Sequence, residues 1–162
     1  MIAPRERPAG MIFFNDNGDE CGGIVFDGNN KEANMAYSFD QYKNDQIMQL
    51  QYEQDNGTNR RMRSYGLKIW DRRDDFTLGD LIKLDDSLKR LQDTAIYRTV
   101  IKKIQSEALM GHERLFLGKN KANEVGLFIR DDKGRPRMEI GLDSLNKVVF
   151  HALDTNGHII PL

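Results

Sequence analysis

A polar run closed by glycine constrains this chain more than any other feature. It occurs four times between apolar segments: Asn15-Asp16-Asn17-Gly18, Gln54-Asp55-Asn56-Gly57, Asp131-Asp132-Lys133-Gly134 and Asp154-Thr155-Asn156-Gly157. In a short hairpin loop built on a type I turn, the closing residue enters the left-handed region, which glycine reaches without steric cost. Asp and Asn ahead of it fold their side chains back onto backbone amides. Each run therefore predicts a reversal between neighbouring extended segments.

The flanks agree with that reading. Leu127 and Ile129 alternate with Phe128 and Arg130, and beyond the turn Met138, Ile140 and Leu142 alternate with Arg137, Glu139 and Gly141. A period of two with one apolar face is the mark of a half-buried antiparallel strand. Pro136 lacks an amide donor, so its strand begins at an edge or a non-bonded position. The same reasoning places strands near 11–15, 21–27, 33–39, 46–53, 60–71, 113–117, 126–130, 137–142, 147–153 and 158–161. Their short connections favour antiparallel meanders. Gly10–Asp27 laid over Gly126–Asp143 aligns Gly10 with Gly126, Asp16 with Asp132, Gly18 with Gly134 and Ile24 with Ile140. Internal duplication and the common physics of hairpins account for this equally well.

Between the halves the period changes to 3.6. Leu78, Leu81, Ile82, Leu88 and Leu91 predict an amphipathic helix after Thr77. A second helix is predicted from a Thr94 cap through Ile96, Val100, Ile101, Ile104 and Ala108, stopped by Gly111. Packing of this stripe on one face of the sheet is favoured over a partner-binding helix. The expected fold is mainly β (α+β), an antiparallel meander forming a sheet, sandwich or open barrel with a short helical pair between two β halves. As a single domain over 1–162, it divides into a β half at about 10–73, a helical insert at about 77–110 and a second β half at about 113–161.

Charge excludes a bulk polycation. The 24 basic and 25 acidic groups leave a formal net charge of −1, so no global field draws nucleic acid or anionic lipid. Cys21 is the sole cysteine, which excludes an intrachain disulfide and a thiolate metal cage drawn from one chain. No apolar run approaches the ~20 residues that cross a bilayer as a helix. MIAPRERPAG has no apolar segment behind it and does not read as a secretory signal. The cytoplasm is the default expectation, with an extracytoplasmic location if a leader or anchor has been removed.

Several constellations invite chemistry, and each has a plainer reading. Asn15–Glu20 crowds oxygen ligands at a turn, yet position six of a calcium loop would be Glu20 where glycine is needed. Cys21 in Glu20-Cys21-Gly22-Gly23 reads as a small buried apolar residue rather than a nucleophile, and the glycines as a bulge or close backbone approach. His151 and His158 flank the last turn with Asp154 between them; zinc would need one face and matched register. Arg60-Arg61-Met62-Arg63 and Trp70-Asp71-Arg72-Arg73 form the densest basic region, broken by Asp71, Asp74 and Asp75. The candidate ligand-binding residues are Asp40, Gln41, Tyr42, Asp45 and Gln46 in a polar loop bracketed by aromatics, together with Trp70. The plainer reading of that loop is a self-capping turn in which Asp40 and Asp45 bond the backbone. No catalytic residue, metal ligand or cofactor is assigned. No phosphate loop, nucleophile elbow, zinc-protease helix or dinucleotide fingerprint is present.

RPAGMIFFNDNGDECGG (Arg7–Gly23), SFDQYKNDQ (Ser38–Gln46), GLKIWDR (Gly66–Arg72) and RLFLG followed by GLFIRDDKGRPRMEIGLD resemble segments of a group of uncharacterised bacterial β-rich proteins. There the segments occur in the same order, with a helical stretch before RLFLG. The resemblance spans nearly the whole chain. It implies an extra strand pair ahead of RPAGM in the relatives, often behind an apolar leader or anchor, which this chain lacks or has lost by trimming. It carries no activity and no functional residues. The expected function is a non-enzymatic structural or binding module, self-associating through sheet edges or binding another protein, with nucleic acid not expected. The alternative is a β-barrel holding a small apolar ligand or sugar in its mouth, with Asp40–Gln46 at the rim.

Overall fold

One hydrogen-bonded frame recurs in five loops and sets the architecture. The computed structural model describes residues 9–29, 31–57 and 61–161. In loops starting at Asn15, Asn120, Asp131, Asp143 and Asp154, the first residue's amide donates to the carbonyl four residues on. The fourth residue's amide donates back to the first carbonyl. The leading side chain's Oδ1 accepts two further amides, as Asp131 does from Lys133 and Arg135 at 3.0 Å each. The fourth residue is left-handed in every case: Gly18, Asn123, Gly134, Asn146 and Gly157, with φ between 61° and 85°. Three of these loops are among the predicted turns. The Asn123 and Asn146 loops were not, because asparagine stands where glycine was sought. Gly57 ends a described segment, and residues 58–60 lie outside the described residues. Arg60 of the basic region is among them.

These reversals produce the expected antiparallel meander. The strands are β1 (Ala9–Phe14), β2 (Glu20–Gly28), β3 (Glu32–Asp40), β4 (Gln46–Asp55), β5 (Met62–Asp71), β6 (His112–Lys119), β7 (Val125–Arg130), β8 (Pro136–Leu142), β9 (Val148–Leu153) and β10 (Ile159–Ile160). They pair in sequence order in one ten-stranded sheet whose outer strands are β1 and β10. The described residues make one ten-stranded antiparallel meander sheet, as anticipated, with β1 and β10 unpaired to each other. The loops within Gly10–Asp27 and Gly126–Asp143 share this frame, which three further hairpins also carry.

Register sorts the side chains. Residues directly opposite one another across a ladder share a face. Following the pairs from β1 to β9 gives Met11, Ile24, Tyr37, Leu50, Leu67, Leu117, Leu127, Ile140 and Phe150, without one polar interruption beyond the tyrosine hydroxyl. A second row on that face runs from Phe13 through Phe39, Met48, Ile69 and Ile129 to Ile160. A third runs from Ala9 through Phe26, Met35, Tyr52 and Tyr65 to Val148, and Lys119 is the one charged residue of the three rows. The opposite face carries Ser38, Gln49, Lys68, Phe116, Phe128, Glu139 and His151 in one row. Beside it lie Gly66, Gly118, Gly126 and Gly141, paired consecutively. A Cβ on Gly118 would stand 2.2 Å from the Tyr65 carbonyl oxygen and 2.7 Å from the Gly66 Cα, so no other residue fits between β5 and β6 there.

Helices α1 (Leu78–Leu91) and α2 (Thr94–Ser106) leave the sheet between β5 and β6, as predicted. Thr77 caps α1 in a reciprocal box with Asp80. The α2 cap is Asp93 and not Thr94: its Oδ1 accepts from the amides of Ala95 and Ile96 at 2.9 and 3.0 Å. The expectation that the pair packs on a sheet face is not met. Each helix lies chiefly against the other. Leu88 and Ile104 are buried, while Ile82, Leu91 and Ile96 stay exposed.

Two substitutions separate loop conformation from strand approach in chemical denaturation. Gly18→Ala meets no neighbour and pays only for its left-handed backbone, an expected loss of about 1 kcal/mol. Gly118→Ala must push two strands apart and is expected to cost about 3 kcal/mol or more.

Candidate functional site

Two features stand out, one apolar and one polar. The apolar one is the three-row face. In a closed protein interior these side chains would be hidden, yet Met11 and Leu50 are each 59% exposed and Leu117 is 51% exposed. No side chain in the described residues is completely buried. The contiguity of these exposed side chains makes the face the apolar candidate site.

The polar feature lies at the helix end of the sheet and gathers most of the residues singled out in the sequence. Its centre is Arg72, directly after β5, whose side chain is only 9% exposed. Its Nε donates to the Gln46 carbonyl at 2.7 Å, one terminal nitrogen to the Met110 carbonyl at 2.5 Å, and the other reaches the Asp45 carboxylate at 3.3 Å. The guanidinium also lies over the Trp70 ring, 5.7 Å from its centroid. One side chain thus ties the β3–β4 loop, β5 and the segment entering β6. Two more contacts reinforce the tie. Gln41 donates to Asp74 at 2.8 Å, and buried Asn44 donates to the carbonyls of Arg73 and Phe76 at 2.9 and 3.4 Å. Tyr42 points outward, with the Lys43 ammonium over its ring. Phe39, Gln41, Met48, Ile69, Trp70 and Arg72 border a shallow depression of about 510 Å³ at this end of the sheet.

Asp40 is the chemically unusual member. Its Oδ1 is buried without a hydrogen-bond partner among the described residues. Burial, together with the nearby carboxylates of Glu20 and Asp45, pushes its pKa up to about 6, against the opposing pull of Arg72. Of the self-capping contacts expected here, Asp45 makes one, accepting from the Gln46 amide at 2.9 Å. Arg72, Asn44 and Asp74 were not among the predicted site residues. A planar guanidinium two residues beyond a tryptophan was the available signal for Arg72.

The remaining candidates separate. Cys21 is exposed at the register shift between β1 and β2, not buried as expected, with Sγ 3.5 Å from the Asp19 carbonyl. Gly22, at φ 133°, approaches β3 so closely that a Cβ would stand 2.2 Å from the Ser38 oxygen, in line with the expected bulge or close approach. His151 pairs with Glu139 at 3.4 Å and His158 with Asp154 at 3.2 Å, so the two histidines belong to different contacts. No group of three or more His, Cys, Asp or Glu side chains is placed to hold a metal among the described residues. No described helix is long and apolar enough to cross a membrane. No protein-family model, curated protein or solved structure matches this chain.

The clamp makes two measurable statements. Arg72→Lys keeps the charge but cannot reach both carbonyls, and is expected to lower unfolding free energy by about 2 kcal/mol. For Asp40, the folded pKa lies above the unfolded value, so stability falls as pH rises from about 4 to about 6. Asp40→Asn is therefore expected to stabilise the protein by about 1 kcal/mol at pH 8, after discounting for its partial exposure, and to leave it nearly unchanged at pH 4. Urea titrations of both variants across that range check both.

Proposed function

We propose that the protein is a non-enzymatic structural or binding module whose working surface is the apolar face of its sheet. The observation that supports this reading most is the unbroken register of three apolar rows across nine strands, still substantially exposed in the isolated chain. Such a surface recognises by shape and by exclusion of water, since it presents few donors, acceptors or charges. The residues at the Arg72 clamp serve this role indirectly. Their hydrogen bonds are directed inward to backbone carbonyls, holding the helical insert's two attachment points beside the β3–β4 loop.

The sheet edges offer less. β10 comprises only two residues and is followed by Pro161, a common device against strand addition. Among the described residues, β1 offers only the outer edge of a six-residue strand, against a face spanning nine strands.

Methionine oxidation tests the reading. Met11 and Met35 lie on the apolar face and are exposed in the isolated chain. In gentle extracts of the native host, mild peroxide is expected to oxidise them at least several-fold more slowly than in the urea-unfolded protein. Oxidation at the unfolded rate in the folded protein would show the face bare and remove the proposal.

A further inference from the structure

We infer that the surface covering the apolar face is the same face of a second copy of this chain, giving a two-layer sandwich. The inference rests on reading that face as the working surface and adds what occupies it.

Size is the first argument. Nine strands at about 4.8 Å spacing and three rows of side chains about 7 Å apart make a patch of roughly 40 by 20 Å. That is about 800 Å² per chain, the amount each partner contributes to a stable protein–protein interface. A small apolar ligand would cover a fraction of it.

Geometry is the second. Two sheets pack face to face when their twists match, with strand directions within about 30° and layers about 10 Å apart. A second copy carries the same twist and the same row spacing by construction. A twofold axis through the face requires only that the patch be complementary to itself, which rows of Leu, Ile, Met and Phe satisfy without charge pairing. The polar atoms fall where a rim would be: Tyr52, Tyr65 and Lys119 occupy the outermost row.

Supply is the third. With no completely buried side chain of its own, the sheet needs its cover whenever it is folded. A second copy is present wherever the chain itself is made.

The test uses the unmodified fold. An equimolar mixture of light and nitrogen-15 chains, carrying photoreactive methionine, is irradiated and mapped, with sedimentation equilibrium on the same sample. The expected particle has about 37 kDa, twice the chain mass of 18.7 kDa. Heavy–light links are expected to join Met48 or Met138 to residues of the same face. Leu50→Glu with Leu117→Glu is expected to weaken association by at least roughly tenfold; should that variant not fold, the links in the unmodified chain decide. A monomer at micromolar concentration, or a dimer linked only through β1 or the glycine-bearing face, overturns the inference. A monomer whose Met11 and Met35 are nonetheless shielded in host extracts overturns the second copy while the broader reading stands. A monomer with both methionines freely oxidised overturns both.

Discussion

The backbone ladder is the constraint on which the rest of this structure depends. In a meander every inner strand satisfies its amides and carbonyls with its sequence neighbours, so ten strands form one continuous layer. A single layer settles hydrogen bonding without creating an interior. Because side chains alternate, the three apolar rows are delivered to one side, and the layer is left with a face that has no partner within the sheet. The helical insert approaches no strand closely enough to supply one, and part of its own apolar stripe, Ile82, Leu91 and Ile96, is exposed as well.

The two faces do different work. On the glycine-bearing face, Phe116 and Phe128 stack at 5.8 Å between centroids, Lys68 lies over Phe116, and Glu139 meets His151. Phe116 is nearly hidden there. The Gly66–Gly118–Gly126–Gly141 line lets neighbouring backbones approach more closely than side chains would allow. The polar face thus settles most of its contacts within the chain. The apolar face leaves many of its side chains half-buried or exposed.

Much of this was legible from residue order. Strand positions followed from period-two alternation, and the helical insert from the switch to period 3.6. The loops at Asn120 and Asp143 were harder, because Asn123 and Asn146 take the left-handed position through their short polar side chains without the glycine signal. Sharing of one face by Met11, Leu50, Leu117 and Phe150 could not be read from any strand alone. It depends on register, and bulges between Phe13 and Phe14, Phe39 and Asp40, Ile69 and Trp70, and Ile129 and Arg130 shift that register by one residue at the loop ends. Arg72 was hidden for a similar reason. Its three partners, Asp45, Gln46 and Met110, come from two distant segments, and only the sheet brings them together.

If the apolar face is a core left half-built by one chain, folding and covering are a single linked event. The most direct measurement is the thermal unfolding midpoint over a hundredfold range of chain concentration. Linkage predicts a midpoint that climbs steadily as concentration rises. A midpoint that does not move, in a protein that unfolds cooperatively and reversibly, would mean that one chain is stable with its apolar face in water, and would contradict the account.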